Sequence, residues 1–163
     1  MVGRGGWWAA IRIGWATGAI VLAALATEAR HPGSWSLAPD MPAALSYHGS
    51  VAIDGTVYVI GGLRNVMVES RVFALDTTTG VWSERSPLPE PRAAFATAVV
   101  GDRIFVIGGI GPAPYSEQGS VMVYHPGADL WTRVDDLPTP RWGLAAAVLD
   151  GKIWAVGGVQ GVE

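Results

Sequence analysis

The chain has 163 residues, half of them hydrophobic, with 22 glycines, 11 prolines and a net charge of −3. That length fits one domain, and the acidic balance argues against nucleic acid or an anionic membrane surface as partner, since both need a basic patch. With no cysteine, disulfides, thiolate metal sites, cysteine nucleophiles and lipoprotein acylation are excluded.

The first twelve residues carry Arg4 and Arg12 and no acid, and residues 13–26 form an uncharged apolar run ending in Ala24-Leu25-Ala26. This is the layout of a secretory signal peptide. Residues 1–26 are therefore expected to form a signal helix, with an uncleaved membrane anchor as the alternative. The apolar run is short of the roughly 20 residues that a membrane-spanning helix needs. Such a leader implies an exported product, periplasmic or secreted. Its removal lowers the basic count from 11 to 9 against 14 acids and takes the net charge from −3 to −5. Residues 27–34 read as a linker.

From Trp35 onward one pattern recurs. Each of Trp35, Trp82 and Trp131 is followed 26 residues later by a glycine pair: Gly61-Gly62, Gly108-Gly109 and Gly157-Gly158. The period is 47 residues and then 49, and a period near 50 marks a repeat architecture. Within each copy an Xaa-Pro step (Met41-Pro42, Leu88-Pro89, Leu137-Pro138) breaks the preceding strand, because proline has no N–H to give a sheet. A small apolar run follows at Val51–Ile53, Thr97–Val100 and Ala145–Leu149, then a two-residue turn: Asp54-Gly55, Gly101-Asp102 or Asp150-Gly151. Asp-Gly between apolar runs is a strong hairpin signal, since both residues tolerate positive φ. A second strand runs into the glycine pair, and after a variable loop comes a third, Arg71–Leu75 or Ser120–Tyr124. The fourth carries the next tryptophan. One repeat is thus four antiparallel strands, with repeats at about 42–88, 89–137 and, in part, 138–163.

This pattern resembles the kelch repeat, the blade of kelch-type β-propellers. The resemblance rests on the glycine pairs, on the aromatic three positions before each pair (Tyr58, Phe105, Trp154), on Tyr124 seven residues before Trp131, and on Pro91-Arg92 and Pro140-Arg141. The first repeat departs from it, with Leu75 where the next copy has Tyr124 and Leu45 where the others have arginine. The implied fold is all-β: residues 35–163 as a propeller segment of about two and a half blades, 11 strands in all, the first at about 34–38. Kelch rings close at about six or seven blades, and propellers in general at about four to eight. The chain is accordingly expected to be a fragment of a larger propeller. The alternative is a ring assembled from several copies, and open blade edges imply self-association.

The resemblance also directs attention to the mouth of the propeller channel. Arg92 and Arg141 precede the innermost strands, and two guanidiniums there could clamp a carboxylate. Tyr47, Phe95 and Trp142 lie close by and could stack on a sugar ring. The same arginines could instead hold backbone carbonyls, and the same aromatics could fill gaps between blades. The main expectation is a scaffold binding a protein or carbohydrate ligand, without enzyme activity. The other is a carbohydrate-active enzyme of the kelch type, such as a sialic acid mutarotase. No metal site or cofactor is expected: His31, His48 and His125 share no spacing, Asp135-Asp136 reads as a solvated turn, and the kelch-like copper oxidases need a cysteine. Trp35, Trp82, Trp131 and the glycine pairs read as structural landmarks, not phosphate loops.

Overall fold

The computed structural model describes residues 36–161. The signal segment, the linker, His31 and Trp35 lie outside them. The described residues contain ten strands and no helix. Strands β1 (Gly49–Ile53), β2 (Thr56–Arg64), β3 (Met67–Asp76) and β4 (Trp82–Arg85) form one antiparallel sheet in that order. Strands β5 (Ala96–Val100), β6 (Arg103–Ile107), β7 (Val121–His125) and β8 (Leu130–Val134) form a second of the same topology. Strands β9 (Trp142–Leu149) and β10 (Lys152–Val159) repeat the first hairpin as a third unit. The sheets are blades I, II and III below. The expected strand at 34–38 is not seen in its described part, since residues 36–38 carry no strand.

Local chemistry dictates the hairpins. Asp54 and Gly55 take φ of 47° and 74°, and Asp150 and Gly151 take 51° and 70°. Positive φ at both central residues is the type I′ geometry that matches strand twist. In Gly101-Asp102 only the glycine is left-handed, at 61°. That suits a II′ turn, which needs glycine first.

The second strand does not stop at the glycines in every copy. β2 runs through Gly61-Gly62 to Arg64 with a register shift between Ile60 and Gly62. β6 ends at Ile107, and residues 108–120 form a loop with isolated bridges at Ile110. The two extra residues of the longer repeat sit here.

The core lies between blades, not within them. Tyr58, Ile60, Val72 and Ala74 of blade I pack against Ile104, Val106, Met122 and Tyr124 of blade II. The far face of blade II, with Ala96, Ala98, Ile107 and Val121, packs against Leu137, Leu144, Ala146 and Ile153. Blade II therefore buries one face on blade I and the other on blade III.

Tryptophans stitch the blades. The Trp82 indole N–H donates to Pro39 O (3.2 Å), and that of Trp131 donates to Ser86 O (2.9 Å). Pro39 and Ser86 are themselves 47 residues apart, so the same bond recurs one repeat on. Tyr124 lies between Tyr58, whose ring centroid is 5.8 Å away, and Trp131 at 4.9 Å. Its hydroxyl donates to Asp129, which also accepts the Ser86 N–H (2.9 Å). Burial, reinforced by that carboxylate, pushes the Tyr124 hydroxyl well above its ordinary pKa, while the Tyr124 hydroxyl first and the Ser86 N–H second hold Asp129 below its own.

Candidate binding surface

The glycine pairs mark the seam between blades. A Cβ at Gly61 would lie 2.5 Å from Arg92 O, and one at Gly108 would lie 2.5 Å from Arg141 O. The next glycine of each pair donates its N–H to that same carbonyl, both at 2.8 Å (Gly62 to Arg92, Gly109 to Arg141). So the backbone of each Pro-Arg step is seated on the glycine pair of the preceding blade. Glycine is needed there twice over, for close approach and for φ of 54° and 64°.

The arginine side chains turn the other way, into their own blades. The Arg92 guanidinium is fully buried, with 0% exposure. Its Nη1 donates to Ser120 O (2.9 Å) and, at 3.4 Å, to Gly108 O; its Nη2 donates to Ser120 Oγ (2.7 Å) and to Glu90 (3.0 Å). Burial lowers the pKa of Arg92, and the Glu90 carboxylate opposes this. Arg141 makes the equivalent bond, Nη1 to Gly157 O at 2.8 Å, from a half-buried position. Both side chains bond backbone carbonyls of their own blades, and for Arg92 that leaves no face open to a ligand. Phe95 is likewise internal. It belongs to the inter-blade core, and its ring would lie 2.4 Å from a Cβ at Gly49.

Tyr47 and Trp142 do come together at a surface. Tyr47, Ala94 and Gly143 are equivalent residues, 47 and 49 apart, just before or at the start of the inner strands β1, β5 and β9. All three are left-handed, with φ of 53°, 53° and 63°. Ala94 N–H donates to Tyr47 O (3.0 Å) and Gly143 N–H donates to Ala94 O (2.7 Å), a ladder running from blade to blade. Above it lies a hollow of about 250 Å³ lined by Tyr47, Leu63, Ala94, Ile110, Tyr115 and Trp142. Tyr47 stands 65% exposed at its edge. A bulky aromatic in the left-handed region is uncommon, and the repeat pattern, not the side chain, imposes it here.

Tyr115 is the wall residue that sequence reasoning missed. It sits in the 108–120 loop, and its hydroxyl donates to Val66 O (2.9 Å) at the tip of the β2–β3 hairpin. The available signal was the length of that loop, since added residues in a repeat favour the functional face. Beside it Val66, Met67, Val68, Pro112 and Ala113 line a second hollow of about 310 Å³. Of the other polar residues, His125 bonds Thr132 Oγ1 (3.0 Å), Asp136 pairs with Arg133 (2.7 Å), and His48 Nδ1 is buried with no partner among the described residues.

Residues 21–158 match the family model for the KLHDC2/KLHL20/DRC7 Kelch-repeats domain. The chain is 31% identical over 87 residues to the human kelch repeat and BTB domain-containing protein 12, covering 48% of this chain and 14% of that protein. It is 36% identical over 81 residues to beta-scruin of Limulus polyphemus, covering 47% of this chain and 8% of that one. An F-box/kelch-repeat protein of Arabidopsis thaliana is 38% identical over 80 residues, 48% of this chain and 17% of its own length. The solved structure of YjhT superposes with a TM-score of 0.66 at 26% identity, over 77% of this chain and 37% of that one. The chain thus spans well under half of each of these proteins.

Proposed function

The chain belongs to the kelch-repeat β-propeller family, and we propose that it is a protein-binding module whose hollow at Tyr47, Tyr115 and Trp142 takes an apolar side chain of a partner. The observation that carries this is the lining of the hollow. At about 250 Å³ it falls below the range typical of small-molecule pockets, and it fits a single anchoring side chain of the kind that dominates protein interfaces. Sugar hydroxyls need hydrogen-bond partners once desolvated. Between its aromatic residues the hollow is walled by aliphatic side chains, Leu63, Ala94 and Ile110. The acidic-sugar reading drew on Arg92 and Arg141, which bond backbone carbonyls and do not line the hollow. Export through residues 1–26 and membership of a longer propeller are part of the same proposal.

The test is peptide selection from a random library against the full chain, with affinities measured on wild type, Trp142→Ala and Tyr47→Gly. Peptides bearing an apolar anchor should emerge and weaken about tenfold or more on both variants, while melting temperatures hold. Tyr47→Gly relieves a left-handed residue and loosens the unfolded chain, two effects of about 1 kcal/mol each that largely cancel. Saturable binding of an acidic monosaccharide, or selected peptides indifferent to both variants, would sink the reading.

A further inference from the structure

The two hollows adjoin, and one side chain divides them. On blade I, Val68 shares the alternation of Val72 and Ala74, which pack on blade II, so it faces that blade. Its cross-strand partner is Leu63, and paired side chains on one sheet face start about 5 Å apart. Leu63 lines the hollow at Tyr47, whereas Val68 lines the hollow at Met67. On blade II the same step runs along the loop, from Ile110 in the first hollow to Pro112 in the second, a reach of about 7 Å at most. Tyr115 is the ridge between them. Its ring walls the first hollow, and its hydroxyl is fixed on the carbonyl of Val66, which walls the second.

The ridge and the outer rim stand open, with Tyr115 45%, Met67 67% and Val66 75% exposed. Single exposed apolar residues need no explanation, but these form one patch with two concave surfaces, and such patches mark interaction sites. No residue lining either hollow is charged. A charged side chain placed there would lose water without gaining a partner, so the occupant's anchors are uncharged. The two linings also differ. Tyr47, Tyr115 and Trp142 give the first hollow aromatic walls suited to an aromatic ring, and the second is aliphatic apart from its proline.

The step across Tyr115 sets the spacing of the anchors. Side chains on one side of an extended chain are two residues and about 6.7 Å apart, which matches it. A helix is about 10–12 Å across with its side chains. That is as wide as the roughly 10 Å between packed sheets, so a helix does not enter between the two hairpins. Resting on the reading that the hollow at Trp142 takes an apolar side chain, we propose that the two hollows are paired subsites for one extended peptide segment of a partner protein. Its pattern is aromatic-Xaa-aliphatic or the reverse, with the ring in the first hollow and the aliphatic side chain in the second.

Four fluorescein-labelled peptides test this by anisotropy on the full chain. Ser-Gly-Phe-Thr-Leu-Gly-Ser and Ser-Gly-Leu-Thr-Phe-Gly-Ser carry both anchors, one for each chain direction. Ser-Gly-Phe-Thr-Ser-Gly-Ser keeps one anchor, and Ser-Gly-Phe-Thr-Thr-Thr-Leu-Gly-Ser spaces the two for a helix. One of the first pair should bind about tenfold or more tighter than either control, the change expected from burying a second apolar side chain. Val66→Asp, at an exposed turn position that leaves the described packing intact, should erase that advantage and spare the one-anchor peptide. Trp142→Ala should weaken all four. If the second anchor adds nothing, if the helical spacing binds as well, or if Val66→Asp spares the advantage while Trp142→Ala still weakens binding, the paired subsites fall and the single-anchor reading stands. No saturation by any peptide, or indifference to Trp142→Ala, overturns both. Self-association that Val66→Asp abolishes and the peptides cannot displace assigns the groove to a second copy and also overturns the inference.

Discussion

Replacing Arg92 and Arg141 by alanine, one at a time, separates a seam residue from a ligand residue. The two occupy the same repeat position, so a shared role in binding predicts similar consequences for both. The structure predicts a large difference in stability. Arg92→Ala leaves Ser120 Oγ without the donor that reaches it at 2.7 Å, leaves Ser120 O with only the longer Gly108 N–H bond at 3.3 Å, and opens a void where a 0%-exposed side chain stood. An orphaned buried acceptor costs about 1–3 kcal/mol, and a core void adds to it. Against this, the folded state no longer holds a desolvated cation. Glu90 offsets little, since its side chain is 54% exposed and returns to water. The net loss is about 2–4 kcal/mol. Arg141→Ala removes one described bond from a half-buried group, about 0.5–1 kcal/mol. Arg92→Met, which refills volume without donors, should recover part of the loss and so divide packing from hydrogen bonding. Urea unfolding followed by tryptophan fluorescence reads all three as shifts in midpoint. Equal, small shifts for Arg92→Ala and Arg141→Ala would refute the seam assignment.

Two further outcomes follow from the same seams. Gly61→Ala should cost about 3 kcal/mol or more, from left-handed strain plus a Cβ 2.5 Å from Arg92 O, whereas Gly157→Ala, with open space around it, should cost only the strain of about 1–2 kcal/mol, both read by thermal melts. Asp129 titrates below its unfolded value in the fold, so its contribution is complete above about pH 4 and fades as the pH falls through the folded value; urea midpoints measured across that acid range should fall less steeply in Asp129→Ala than in wild type.

Much of the fold was legible because its constraints are backbone constraints. Asp54-Gly55, Asp150-Gly151 and the glycine pairs sit where φ must be positive, and few residues meet that demand, so composition betrays geometry. The strand order and the repeat register followed from those fixed points. What each glycine faces was not legible. The atom that forbids a side chain at Gly61 is a carbonyl 31 residues further on, Arg92 O, and a main-chain atom leaves no trace in residue identity. For the same reason the Pro-Arg steps suggested a ligand clamp. The sequence shows the guanidinium, while the structure uses the carbonyl as a plug and the guanidinium as a brace for Gly108 and Ser120. Phe95 misled through its aromatic ring: its equivalents are His48 and Leu144, and only Leu144 shares its inward apolar role. Tyr115 lies in the one loop that the repeat does not duplicate.

The repeat therefore separates its two tasks by position. Residues that recur, such as the glycine pairs, Trp82, Trp131 and the Pro-Arg steps, hold one blade to the next. The surface around Tyr47 is made where recurrence fails: tyrosine, alanine and glycine occupy one left-handed position in turn, at Tyr47, Ala94 and Gly143. That backbone ladder tolerates glycine best, so an exposed tyrosine there is retained against local preference. Strain of this kind persists where the surroundings impose it, and it gathers at binding sites. The same logic separates the hollow from the bare face of β9 and β10. The hollow departs from the repeat, whereas the face at Trp154 and Gly157 keeps to it.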